Sequence, residues 1–181
     1  NKLFKTISNC ADEIGLDCYV IGGFVRDYFL KRESKDIDIV VIGSGIEMAK
    51  LVSKELDNIS KVKIFKTYGT AMLKYSNYEI EFVGARKESY SDNSRNPQVS
   101  EGTLEDDIKR RDFTINSLAI SLNKKNYGKL IDSHNGLEDL KSKIIITPLD
   151  PQVTFNDDPL RMLRAIRFAS NLDFNINKDL L

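Results

Sequence analysis

Residues 35–42 read KDIDIVVI, an apolar β-branched run that carries two acids, Asp36 and Asp38. Aspartate is disfavoured in strands, and an unpaired buried carboxylate is costly. In a strand, residues i and i+2 point to the same side, so the two carboxylates form one parallel pair. Hard oxygen ligands on a rigid element suit Mg2+, which is held by few carboxylates together with substrate phosphates. The bland alternative is an edge strand with one polar face, and the spacing alone favours it. A third acid bears on the choice. In YEIEFVGAR, Glu79 and Glu81 share a face, and Glu81 completes a triad if this strand lies beside the first. Taken alone, that run reads as a strand with a solvated glutamate face.

A second group precedes the acids. VIGGFVRD predicts a strand, the Gly22-Gly23 turn and a helix. Glycines let a phosphate approach the backbone, a helix start presents free N–H groups, and Arg26 reaches the same anion. Without further context this is also what a tight turn looks like. VIGSG at 41–45 is a glycine loop too, but it lacks the third glycine of a dinucleotide fingerprint and reads as a structural turn. DIKRRDFTINSL reads as a solvated helix start. The run DDPLRMLRAIRFA predicts a helix with Pro159 in its first turn, and Asp158, Arg161 and Arg164 recur every three residues along one face. Alone, it reads as a helix surface with ion pairs.

The elements that must position these groups follow from periodicity. Leu3, Phe4, Ile7, Cys10, Ala11 and Ile14 predict an opening helix, and Ile46, Ala49, Val52 and Leu56 another. KVKIF, TAMLKY and YEIEFVGA predict three strands. Residues 87–102 are polar, hold Pro97 and Gly102, and read as a long mobile loop. Thr103 with Asp106 forms a capping-box pattern. Strands dominate to about residue 147, and helices thereafter.

The chain has 181 residues, 41% hydrophobic and 30% charged, as expected for one ordinary domain and part of a second. Lys plus Arg and Asp plus Glu number 27 each, so any polyanion site rests on local placement of cations. No apolar run is long enough to span a membrane. Lacking a signal-peptide pattern, the chain reads as cytoplasmic, with a natural start that is trimmed. Cys10 and Cys18 read as reduced core residues, and His134 as a turn residue.

Five stretches in order, VIGGFVRDYFLKRESKDIDIVV, EFVGARKESY, RRDFTINSLA, IDSHNGLEDL and DDPLRMLRAIRFA, together resemble one family. This is the bacterial-type (class II) tRNA nucleotidyltransferases and poly(A) polymerases, within the polymerase-β-like nucleotidyltransferase superfamily. The resemblance implies an α/β (α+β) head with a mixed, roughly five-stranded sheet flanked by helices over residues 1–147. At 148–181 it implies the start of an all-helical neck, whose continuation grips tRNA. It makes Asp36, Asp38 and Glu81 the catalytic carboxylates that hold two Mg2+ ions, and Gly22, Gly23 and Arg26 the triphosphate-binding turn. Arg111, Asp112 and Asn116 become the ribose- and phosphate-binding residues. Asp158 and Arg161, with Arg164 and Arg167 beside them, become the nucleobase readers. Residues 87–102 fall where the family has a flexible loop that helps switch from C to A addition. Asp157 stands where the family usually has Glu, and Ser117 where it has Ala.

The implied activity is template-independent addition of C and A from CTP and ATP to the tRNA 3′ end, by attack of the 3′-OH on the α-phosphate. The Asp158–Arg161 pair fits those substrates. A carboxylate accepts from an exocyclic amine and a guanidinium donates to a ring nitrogen. Adenine and cytosine offer both groups side by side, whereas guanine and uracil present a carbonyl beside an N–H. The alternatives are a poly(A) polymerase, a CC-only or A-only tRNA enzyme of the same family, and a non-catalytic nucleotide-binding module.

Overall fold

The structure, a computed structural model, describes residues 2–57, 61–91 and 94–180. In chain order the elements are α1 (Lys2–Glu13), β1 (Cys18–Ile21), α2 (Gly23–Phe29), β2 (Asp36–Val41), α3 (Gly45–Glu55), β3 (Lys63–Phe65), β4 (Thr70–Tyr75), β5 (Tyr78–Gly84), β6 (Arg86–Ser91) and β7 (Ser94–Glu101). There follow α4 (Leu104–Lys109), β8 (Ala119–Ser121), β9 (Leu130–Ile131), α5 (Gly136–Ser142), β10 (Ile144–Ile145), α6 (Pro151–Asp157), α7 (Leu160–Leu172) and β11 (Asn175–Ile176). They pack as two compact units, residues 1–85 with 119–131, and residues 86–118 with 132–181. This division does not coincide with the expected head at 1–147 and neck at 148–181.

The first unit is built on a mixed sheet in the order β3-β4-β5-β2-β1-β8-β9, seven strands among the described residues where about five were expected. Only β2 and β5 run parallel; the other neighbours are antiparallel. Alternation does the sorting. Ile37, Ile39, Ile80 and Phe82 are at most 1% exposed, on strands that α3 packs against, and the acids occupy the positions between them. Leu3, Ile7, Cys10 and Ala11 recur at helical spacing along α1 and are buried. Both cysteines are free and buried. Burial raises both thiol pKa values, with Cys10 pushed up to about 11, which makes them inert core groups.

In the second unit, β6 and β7 form an antiparallel ribbon. The long loop expected at 87–102 is therefore corrected: most of it is paired strand. Backbone bonds make such a ribbon, and composition does not display them. Its register shifts between Ser89 and Ser91, opposite the stretch that contains Pro97, a residue unable to donate to a ladder. Thr103 and Asp106 make the expected capping box at the start of α4. Gly136 and Leu137 at the start of α5 donate their backbone N–H groups to Asp132, at 2.7 and 2.9 Å. Phe113 meets Phe168 of α7 edge to face, with ring centroids 5.9 Å apart.

Candidate active site

β2 lies inside the sheet, between β1 and β5. That removes the edge-strand account of its two aspartates. The β2–β5 register sets Asp36 opposite Glu79 and Asp38 opposite Glu81. Directly opposed residues share a face, so four carboxylates lie side by side on one face, across two adjacent strands about 4.8 Å apart. Asp36 is exposed and Asp38 and Glu81 are half-buried. Glu79 is taken up by Lys74, its opposite on β4, with which it forms an ion pair, and this partner lowers its pKa. Asp36, Asp38 and Glu81 remain as the set that sequence reasoning named.

Three hard carboxylates on rigid neighbouring strands fit Mg2+ in donor type. The fit is one of register. Among the described residues, no three His, Cys, Asp or Glu side chains are drawn together into a metal-holding group.

Gly22 sits at the junction of β1 and α2 with φ +81°, a conformation that a side chain would strain. The Arg26 guanidinium arches back over this turn: a Cβ built on Gly23 would meet its Nη2 at 3.6 Å. Asp27 holds that guanidinium in a fork, from Nε to Oδ1 and Nη2 to Oδ2, both at 2.9 Å. The turn and the carboxylates are neighbours through the sheet, because Ile21, just before Gly22, is paired with Asp38.

In the second unit, Arg110, Arg111, Asp112, Asp158, Arg161 and Arg164 line a polar cleft of about 270 Å3. Arg161 is buried, donating from Nη2 to the Arg110 carbonyl at 2.9 Å and from Nη1 to the Thr154 carbonyl at 3.4 Å. α7 is thus no mere helix surface with ion pairs. Asp158 accepts from the Leu160 N–H at 3.2 Å. Asp112, also buried, accepts from the Phe113 N–H at 2.8 Å and Asn116 Nδ2 at 3.0 Å on one oxygen, and from Arg164 Nε at 2.7 Å on the other. Arg164 and the exposed Arg167 both lie over the Phe168 ring, 5.3 and 4.9 Å from its centroid.

Sequence reasoning missed Asp107 and Arg110. Asp107 is 0% exposed and binds both Arg110 and Arg111, so the solvated helix start expected there is corrected. The available signal was spacing: Asp107 stands three and four residues before the two arginines, on the same helix face.

The family model described as "Poly A polymerase head domain" matches residues 18–146. The A-adding tRNA nucleotidyltransferase of Aquifex aeolicus is 45% identical over 163 residues, which is 90% of this chain and 19% of that protein. A tRNA nucleotidyltransferase solved with a primer tRNA and an incoming ATP analog superposes with a TM-score of 0.84 at 41% identity, covering 96% of this chain and 47% of that one. A CCA-adding enzyme solved with ATP gives 0.84 at 38% identity, over 98% and 40% of the two chains. The chain therefore spans less than half the length of these relatives.

Proposed function

As the chain belongs to the poly A polymerase head-domain family, we propose that residues 1–147 are the catalytic head, and 148–181 the start of a helical neck, of a tRNA nucleotidyltransferase. It adds C and A from CTP and ATP to the tRNA 3′ end in the cytoplasm. The observation that carries this is the register of Asp38 opposite Glu81 on an interior strand pair. A simple nucleotide-binding module has no use for three aligned carboxylates, whereas phosphoryl transfer depends on positioned negative ligands and charge neutralisation.

Asp36, Asp38 and Glu81 are the residues that hold metal. Mg2+ held there would supply charge neutralisation at the triphosphate and a lowered pKa at the 3′-hydroxyl. Gly22 and Gly23 bring backbone to the triphosphate, with Arg26 above them. Arg111 and Asn116 serve the ribose and phosphates, and Asp112 holds Asn116 and Arg164 in place. Asp158 and Arg161 read the amine and ring nitrogen of adenine or cytosine, with Arg164 and Arg167 flanking them. A site built on such hydrogen bonds rejects bases that leave its groups unpaired.

The likeness to an A-adding enzyme supports a second reading, addition of A alone. One experiment covers both: extension of tRNA lacking CCA with each of the four nucleoside triphosphates, scored by product length and base. Asp36→Ala and Asp38→Ala are expected to abolish extension. Asp158→Ala is expected to bring GTP and UTP use closer to that of ATP and CTP. Undiminished extension by both aspartate variants would overturn the metal assignment, whereas ATP binding without any extension by the wild-type chain would leave a nucleotide-binding module.

A further inference from the structure

The carboxylate face continues beyond the acids. Glu81 of β5 is opposite Met72 of β4, and Met72 is opposite Lys63 of β3. One row across the sheet therefore reads Ile21, Asp38, Glu81, Met72, Lys63, all on the same face. The next row along reads Tyr19, Val40, Val83, Thr70, Phe65. Lys63 and Phe65 thus share the face of the acids at the sheet edge, with Lys63 about 10 Å from Glu81 at two strand spacings.

In-line phosphoryl transfer sets the direction of approach. The attacking oxygen must enter opposite the leaving pyrophosphate. At one end of the row Ile21 leads into the Gly22-Gly23 turn, the proposed triphosphate site. The incoming strand must then reach the carboxylates from the other end, over β4 and β3. What stands there suits RNA. Between Asp57 and Glu79 the sequence has no acidic residue and four lysines, Lys61, Lys63, Lys66 and Lys74. Lys74 is paired with Glu79, whereas Lys61, Lys63 and Lys66 are exposed. Among them Phe65 is 41% and Tyr68 72% exposed. Cations interleaved with exposed aromatic rings are how proteins grip single strands.

Resting on the proposed function, we propose that this outer part of the carboxylate face holds the RNA just behind its reacting 3′ end, with Lys63 on a phosphate and Phe65 against a base. Lysines also guard sheet edges against pairing with other chains, and β9 at the opposite edge is preceded by exposed Lys124, Lys125 and Lys129. Edge protection, however, gives no reason to expose Phe65 and Tyr68.

The test is binding of a 5′-labelled single-stranded RNA carrying the tRNA acceptor 3′ sequence, by fluorescence anisotropy across a salt series, with ATP binding measured separately. Lys63→Glu is expected to weaken RNA binding at least about fivefold and to reduce the salt slope by about 0.7, the loss of one phosphate contact. Phe65→Ala is expected to weaken it about tenfold. Lys63→Arg should restore binding, and Lys129→Glu and ATP affinity should stay unchanged. Equal losses in Lys63→Glu and Lys129→Glu, an unchanged Lys63→Glu, or a parallel fall in ATP affinity would each overturn the proposal. So would a wild-type chain that binds ATP but not RNA. Self-association lost in Lys63→Glu with RNA binding intact would assign the edge to a second copy instead. The aspartate variants, assayed by extension, fail or hold independently of these outcomes.

Discussion

Asp38 and Glu81 face one another across a parallel strand pair, and like charges directly opposed on a sheet destabilise it. The cost of holding them there is a property of the carboxylate set itself and should be separable from its chemistry. Glu81→Gln keeps the shape and removes one charge. It is expected to raise stability by about 0.5 kcal/mol, about one or two degrees in Tm. Nucleotide extension should fall at least about a hundredfold. Thermal melts and extension assays on the same preparation check both halves, and unchanged extension would remove Glu81 from the metal set. Asp139 makes a second case. It accepts from the Thr114 hydroxyl at 2.6 Å, yet desolvation raises its pKa, with that hydrogen bond opposing and Asp132 and Glu138 adding to the rise. A carboxyl whose folded pKa is raised binds its proton more tightly in the fold than in the unfolded chain, so ionisation destabilises. The penalty is absent below the unfolded pKa and fully present above the folded one. Asp139→Asn, which still offers an oxygen to Thr114, should therefore be more stable than wild type at pH 7, and the gain should vanish under acid. Denaturant melts at the two pH values decide it. At this scale the sequence was informative wherever period two or three applied: Asp36 with Asp38, Glu79 with Glu81, Asp158 with Arg161. It was silent where a partner lies far along the chain. Nothing in RRDFT announces that Asp112 will hold Arg164, 52 residues on.

Elements were legible to the extent that their own residues determine them. The strands with apolar alternation and the helices with an apolar stripe emerged where expected, and so did the turn at VIGSG. There Ser44 caps α3 by accepting from the Glu47 N–H, and Gly45 lies against the next strand: a Cβ on it would come within 2.7 Å of the Phe82 carbonyl. Gly45→Ala must push backbone against backbone at the point where α3 packs on β5. A loss of about 1–3 kcal/mol is expected, readable as a lower denaturation midpoint with an unchanged slope. Full stability in that variant would show that the helix can slide away at no cost. The ribbon of β6 and β7 was not legible, because a two-stranded ribbon is specified by its ladder, and polar residues with a proline carry no period-two signal. Nor could the interior place of β2 be read from it. Strand order is decided by which strands return beside it, and β5, its parallel partner, arrives three strands later in the chain.

Over the whole chain, cations and anions cancel, 27 against 27. RNA affinity grows with the number of phosphates neutralised, and each contact adds to the salt dependence. A balanced chain can supply such contacts only where its cations gather, and the sites proposed for nucleotide and RNA gather them locally, at the arginine cleft and at the lysine edge of β3. Neither offers the long basic track that holds a folded RNA. Relatives solved with ATP or with a primer tRNA are more than twice as long as the part that this chain matches. We therefore expect these 181 residues to bind ATP measurably but to extend tRNA slowly and distributively, with weak RNA binding that fades between about 50 and 200 mM salt. Single-turnover extension against tRNA concentration distinguishes the cases. A rate that keeps climbing without saturation at accessible tRNA concentrations is the expected result. Tight, saturable and processive addition by this chain would mean that its two local cation clusters suffice to grip the substrate, and that further protein contributes something other than affinity.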